Sequence, residues 1–271
     1  VVYMVPGVSM TGTVIDMAGN PVQGIRVQLE PQGNLYNSIS TVTDMYGQYR
    51  TEPVENGQYK VKFPDDQYPR RYATEYWNDQ YIMDNAQNLD LQASNGTTVS
   101  GIDAQLGAPA TITGHVQNKS AMGIEQVCVE AVTAGQNNQL GSTQTDSSGD
   151  YTLSGLPPTT VIVRFQDCGN PRQHLDQFYN GVSDSRDAQQ LSLSPGNTTS
   201  GIDATLETGA IVSGTVTDSA GNPMASVNVS IVATDHSVSS WVGTNPAGKY
   251  SSSPLPPGDY RVRFEPNDDS Y

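Results

Sequence analysis

Few residues in this chain are spaced to do chemistry. Its three histidines, His115, His174 and His236, stand apart. None has a partner at the H-x-x-E or H-E-x-x-H spacing that turns two ligands toward one zinc ion. Serines are plentiful, but no G-x-S-x-G elbow exposes one, so they read as ordinary strand and loop residues. A phosphate-cradling glycine loop and a C-x-x-C pair are also missing from the sequence. The two cysteines, Cys128 and Cys168, are either bridged or free, since spacing alone cannot place their Cα atoms within the roughly 7 Å a bridge needs. Asp44 and Asp146 would be calcium ligands only if several more oxygens converged on them. An Asn, Asn245, holds the matching place further on, which favours a turn. The acidic pairs Asp65-Asp66 and Asp268-Asp269 read as solvated loop charges. No enzyme activity, metal or cofactor is expected.

Recognition is the remaining candidate chemistry. Aromatic faces stack on sugars or on a partner's side chains, and Tyr76-Trp77 recurs as Phe178-Tyr179, with Trp241 standing alone. Recurrence at one place favours packing between or within repeats, and contact with a glycan or partner protein is the second reading. Four N-x-S/T sequons, at Asn95, Asn118, Asn197 and Asn228, are sites for glycan attachment where the host has the machinery, and turn residues otherwise. With 13 Lys plus Arg against 28 Asp plus Glu, the formal charge is -15. That balance argues against nucleic acid as a partner. No apolar run is long enough to span a bilayer in this segment. The acidic, Ser/Thr/Asn/Gly-rich composition reads as extracellular or cell-surface.

These residues sit on a threefold repeat. TGTV, TGHV and SGTV, at Gly12, Gly114 and Gly214, each lie between alternating apolar residues: Met10 and Val14, Ile112 and Val116, Val212 and Val216. Period-two alternation is the mark of a half-buried strand. A second strand follows in each copy, with Ile25, Val27 and Leu29 inward, matched by Val127, Val129 and Ala131 and by Val227, Val229 and Ile231. On this parity Cys128 faces outward. TDMYGQY, TDSSGDY and TNPAGKY then spell type I turns, with Asp or Asn first and Gly fourth. Tyr59, Val61 and Phe63 begin another strand, matched by Val161, Val163 and Phe165 and by Tyr260, Val262 and Phe264. Copies one and two end in GIDAQL and GIDATL, a last strand with Ile102, Ala104 and Leu106 inward. A short helical turn is expected near 171–178.

About seven short strands per hundred residues, punctuated by Gly, Pro, Asn and Asp, predict an all-β chain of tandem seven-stranded sandwiches. The motifs G-x-V-x-D-x-x-G-x-P (Gly12 to Pro21, Gly214 to Pro223), T-D-x-x-G-x-Y and P-G-x-Y-x-V-x-F resemble the carboxypeptidase regulatory-like domains. That resemblance implies a transthyretin-like or Ig-like β-sandwich and leaves function open, because the family decorates many secreted and surface proteins. The units also look similar to the collagen-adhesin B-type repeats of Gram-positive pili. Those carry a Lys–Asn isopeptide bond, and the first strands here lack the lysine it needs.

The expected organisation is 1–8 as the last strand of an upstream unit or a donor strand, then repeats at 9–106, 107–206 and 207–271. In register, Val2 and Met4 match Ala104 and Leu106. The third repeat has no GIDA strand and reads as an incomplete sandwich, finished either by further chain or by a strand from another copy. The function expected is a non-enzymatic extracellular structural protein: a surface stalk, adhesin or filament subunit of head-to-tail spacers, polymerising by strand complementation in the second case. The alternative is an accessory glycan-binding or spacer region of a large secreted hydrolase. Expected partners are other copies or neighbouring repeats, a glycan, or a host or cell surface.

Overall fold

The computed structural model describes residues 7–32, 38–92 and 97–266. Val2, Met4, Asn95 and Asp268-Asp269 lie outside the described residues. Among the described residues the β-strands and turns that the alternation and turn motifs predict are present, together with one short 3-10 turn, Met83–Asn85.

In the first unit, Ser9–Asp16 is the centre of a four-stranded sheet. It pairs antiparallel with Gln48–Arg50 and parallel with both Thr98–Val99 and Ala104–Leu106. The facing sheet holds Ile39–Val42, Arg26–Pro31, Gly57–Phe63, Glu75–Tyr76 and Leu89–Leu91. Seven of these nine strands have three residues or more, and Glu75–Tyr76 and Thr98–Val99 have two each. The second unit repeats both sheets, with Ala110–Asn118 central in one and Val127–Val132 and Thr160–Asp167 central in the other. Met10, Val14, Ile25, Val27, Leu29, Val61 and Phe63 of the first unit are fully buried, and their second-unit counterparts equally so. Each unit has its own apolar cluster, so the described residues form three cores rather than one. That is the arrangement of a tandem array, in which a unit's stability comes from its own interior and its neighbours.

Among the described residues the third unit shows counterparts of the first five strands of the other units, with less covering them. Ser213–Thr215 pairs with Lys249–Ser251, and Val227–Ala233 lies between Ser239–Gly243 and Tyr260–Pro266. Val262 and Phe264 are 39% and 47% exposed, whereas Val163 and Phe165 in the same positions of the second unit are at 0%. Among the described residues, nothing corresponds to the parallel strands that cover the equivalent core in the first two units.

Two expectations need correction. Residues 171–178 form no helical turn: a cis Asn170–Pro171 bond and an extended path lead to Gln177–Phe178. The Thr-rich stretches at 98–99 and 198–199, just before the closing strands, are short strands parallel to the first strand of their unit. Asp65 is not a solvated charge. It is 1% exposed, because its carboxylate gathers the amides of the following loop, while Asp66 beside it remains exposed.

Candidate functional site

The repeated GIDA segment is a lock built from three parts of each of the first two units. Gly101 and Gly201 take φ of 80° and 76°, a region open to glycine, and turn the chain onto the first strand. The Ile102 amide donates to the Thr11 carbonyl at 3.2 Å, and the Tyr49 hydroxyl donates to the Ile102 carbonyl at 2.6 Å. Asp103 Oδ1 accepts the Thr13 amide at 2.7 Å. The second unit copies each bond: Ile202 N to Thr113 O at 3.2 Å, Tyr151 OH to Ile202 O at 2.6 Å, His115 N to Asp203 Oδ1 at 2.8 Å. Gly12 and Gly114 make the approach feasible, since a Cβ there would stand 2.0 and 2.1 Å from the Ile102 and Ile202 carbonyl oxygens. Burial, then the nearby Asp103 or Asp203 charge, pushes both tyrosines far above their ordinary pKa, so each hydroxyl stays a donor. Each ring also meets a core phenylalanine edge-on, Tyr49 with Phe63 and Tyr151 with Phe165. In the third unit Tyr250 and Phe264 form the same pair, but the Tyr250 ring is only half-buried.

A second repeated device pins the linkers. Asp65 accepts amides from Gln67, Arg71 and Tyr72; Asp167 accepts those of Gly169, Gln173 and His174. Burial alone would raise these carboxyls, but the amide donors outweigh it and hold both below the ordinary value. The loops so organised reach the next linker: Ala73 N donates to Gly107 O at 2.9 Å, and Leu175 N to Glu207 O at 2.8 Å. A further bond, Gly209 N to Gln173 O at 2.9 Å, reinforces the second junction. Beside each loop stands a clasp. In the second unit it is the Cys128–Cys168 disulfide, with Cα atoms 5.7 Å apart. In the first unit the same positions hold the Arg26–Asp66 ion pair at 2.9 Å. This equivalence is legible in the sequence once the copies are aligned at an offset of 102, as for Gly12 and Gly114, and the sequence reading missed it.

The turn residues behave as predicted. Asp44, Asp146 and Asn245 each accept two amides through Oδ1, and each carbonyl closes the turn with the glycine three residues on. The histidines are not brought together. His115 Nδ1 lies 2.8 Å from Asp150, His174 Nδ1 2.9 Å from Asp167, and His236 sits in a turn at φ 62°. Among the described residues, no group of three or more His, Cys, Asp or Glu is placed to hold a metal ion.

The aromatic candidates divide. Tyr76 is buried, with Lys62 Nζ 5.7 Å from its ring centroid. Trp77 and Tyr179 are half-buried against the cores of their units, and Phe178 is half-buried on its two-residue strand. Trp241 is 67% exposed. Of the sequons, Asn118 accepts the Ser120 and Met122 amides, while Asn197 and Asn228 are exposed. Beside Tyr76 is a residue the sequence reading passed over: Glu75, 1% exposed, whose carboxylate oxygens lack a hydrogen-bond partner. Burial, then the Asp79 charge, pushes it up to about 8. The second unit has neutral Gln177 in its place.

No helix of the described residues is long and apolar enough to cross a membrane. No curated protein matches the chain. Solved structures that resemble it include GBS52, the minor pilin of Streptococcus agalactiae, at 11% identity and a TM-score of 0.42, covering 74% of this chain and 98% of that one. The Bacillus anthracis TIE protein matches at 14% identity and a TM-score of 0.31, over 95% of this chain and 45% of its own. This chain therefore spans less than half of that protein. BcpA, the major pilin subunit of Bacillus cereus, matches at 11% and 0.27, covering 94% and 87%. At these scores the likenesses carry no functional argument. The family model of the carboxypeptidase regulatory-like domain matches residues 9–102 and 211–267, more than half of the chain, and the protein belongs to that family.

Proposed function

We propose that this is a non-catalytic, extracellular or cell-surface structural protein, whose sandwiches at 9–106, 107–206 and 207–271 act as spacers held head to tail. The observation that carries this reading is the pair of matched junction bonds, Ala73 to Gly107 and Leu175 to Glu207. The same backbone contact at both linkers gives successive units a defined relation, as a stalk or filament shaft requires. The Cys128–Cys168 bridge supports an oxidising compartment. Small-angle scattering tests the reading. The native chain should give a narrow, extended distance distribution that broadens when a flexible Gly-Ser insert is placed after Gly107. A native distribution as broad as that of the insert variant overturns it.

A finer reading rests on the third unit. Exposed Val262 and Phe264, with the half-buried Tyr250, mark a sheet face that a closing strand would cover. Strand complementation by another copy would cover it and, being head to tail, would polymerise the chain. Electron microscopy of the concentrated protein should then show filaments whose formation depends on concentration. A particle that stays monomeric at every concentration removes this part and leaves the spacer reading intact.

A further inference from the structure

The first unit has a concavity of about 480 Å³ on its outer surface, between the Trp77 hairpin tip and the closing strand. Its size falls within the roughly 300–1,000 Å³ range of small-molecule sites. Its floor is the parallel pair formed by the first and closing strands, in which Ile15 stands opposite Gln105. Thr13, Ile15, Asp103 and Gln105 alternate away from the core residues Val14 and Ala104 and line the floor. Trp77, half-buried against the core, and Asp79 line the rest.

We infer that this concavity binds a neutral or amino pyranoside. The indole offers an apolar face suited to the C–H face of a sugar ring. The carboxylates and the Gln105 carbonyl oxygen are acceptors for its hydroxyls, and bonds to ionised acceptors are the stronger kind. Part of that capacity is open. Asp103 uses Oδ1 on the Thr13 amide, Gln105 uses Nε2 on the Asp16 carbonyl, and Asp79 makes no hydrogen bond to a described residue. Charge selects the class further. Asp79 and Asp103 line the space and no Lys or Arg does, so a uronate or other anionic sugar meets like charge. The second unit has lost the arrangement. Tyr179 replaces Trp77, Gly181 replaces Asp79, and Gln117 Nε2 lies 3.5 Å from Thr205 Oγ1 across the two strands. The site belongs to one unit, and it would give a spacer an adhesive function that the structural reading does not supply.

The chain has two tryptophans, so Trp241→Phe leaves Trp77 as the sole indole reporter. In that background, cellotetraose, a chitosan tetramer and tetragalacturonate are titrated at physiological salt while indole emission is followed. The neutral or the amino oligomer should give a saturable change, and the uronate none. Asp79→Gly, the residue type the second unit carries here and one at ease at the φ of 58° at this exposed position, should weaken the response about tenfold, the size of one charge-assisted hydrogen bond. The inference is overturned if neither the neutral nor the amino oligomer gives saturation up to about 10 mM, if the uronate binds as well as they do, or if Asp79→Gly leaves the affinity unchanged.

Discussion

Tyr151→Phe removes one oxygen and nothing else from the second unit. The ring keeps its edge-on contact with Phe165, at 6.1 Å between centroids. What disappears is the donor to the Ile202 carbonyl at 2.6 Å, in a site with Tyr151 at 5% and Ile202 at 4% exposure. A buried acceptor left without its donor costs about 1–3 kcal/mol. Since each 1.4 kcal/mol is a factor of ten, local opening of the closing strand should become roughly 5- to 150-fold more frequent. Because a tandem array does not unfold as one two-state unit, a global midpoint would blur the effect. Hydrogen exchange resolved to the peptide containing Ala204–Leu206 reads it directly, as lost protection there and little change at Ala104–Leu106. Tyr250→Phe is the internal control. Its ring pairs with Phe264 in the same way, at 5.8 Å, but no described carbonyl accepts from its hydroxyl, so its cost should be near zero. Equal losses in the two variants, or unchanged exchange in Tyr151→Phe, would refute the idea that the tyrosine hydroxyl locks the GIDA strand.

Two further outcomes follow from the clasps and the buried acid. Reducing Cys128–Cys168 opens a 40-residue separation, which chain-entropy reasoning values at about 4 kcal/mol. Removing the Arg26–Asp66 pair, 43% and 54% exposed at its side chains, should cost under about 1 kcal/mol. Calorimetry with and without reductant, beside Arg26→Ala, should therefore show a large shift for the second unit and a small one for the first. Glu75 sits at about 8 in the fold against an ordinary value of 4.5. The unfolded chain releases this proton first, so Glu75 lowers stability progressively as pH rises from about 4.5 through about 8. Glu75→Gln, the residue type the second unit already uses, should match the native protein at pH 4 and exceed it by a few kcal/mol at pH 8. Urea unfolding of the first unit at both pH values checks this, and a pH-independent difference would contradict it.

Much of this architecture is written locally. Alternation at Ile25, Val27 and Leu29 determines which face goes inward, because side chains on a strand point to opposite sides in turn. The Asp-x-x-Gly pattern determines the turns, because an Asx side chain accepts its own neighbours' amides. Those rules act over two to four residues and needed no fold to be read, so strands, turns and the threefold repeat were all legible. Tertiary structure decided the rest. Tyr151 reaches the Ile202 carbonyl across 51 positions, and Thr13 reaches Asp103 across 90. No periodicity encodes such pairings, which exist only when strands far apart in sequence are brought side by side around the first strand of a unit. The same holds for Asp65: its sequence neighbourhood is that of a loop charge, and it is buried because the chain between 66 and 72 wraps its amides around the carboxylate. The concavity beside Trp77 is likewise a product of closure, since it joins a first strand, a hairpin tip and a last strand that lie far apart in sequence.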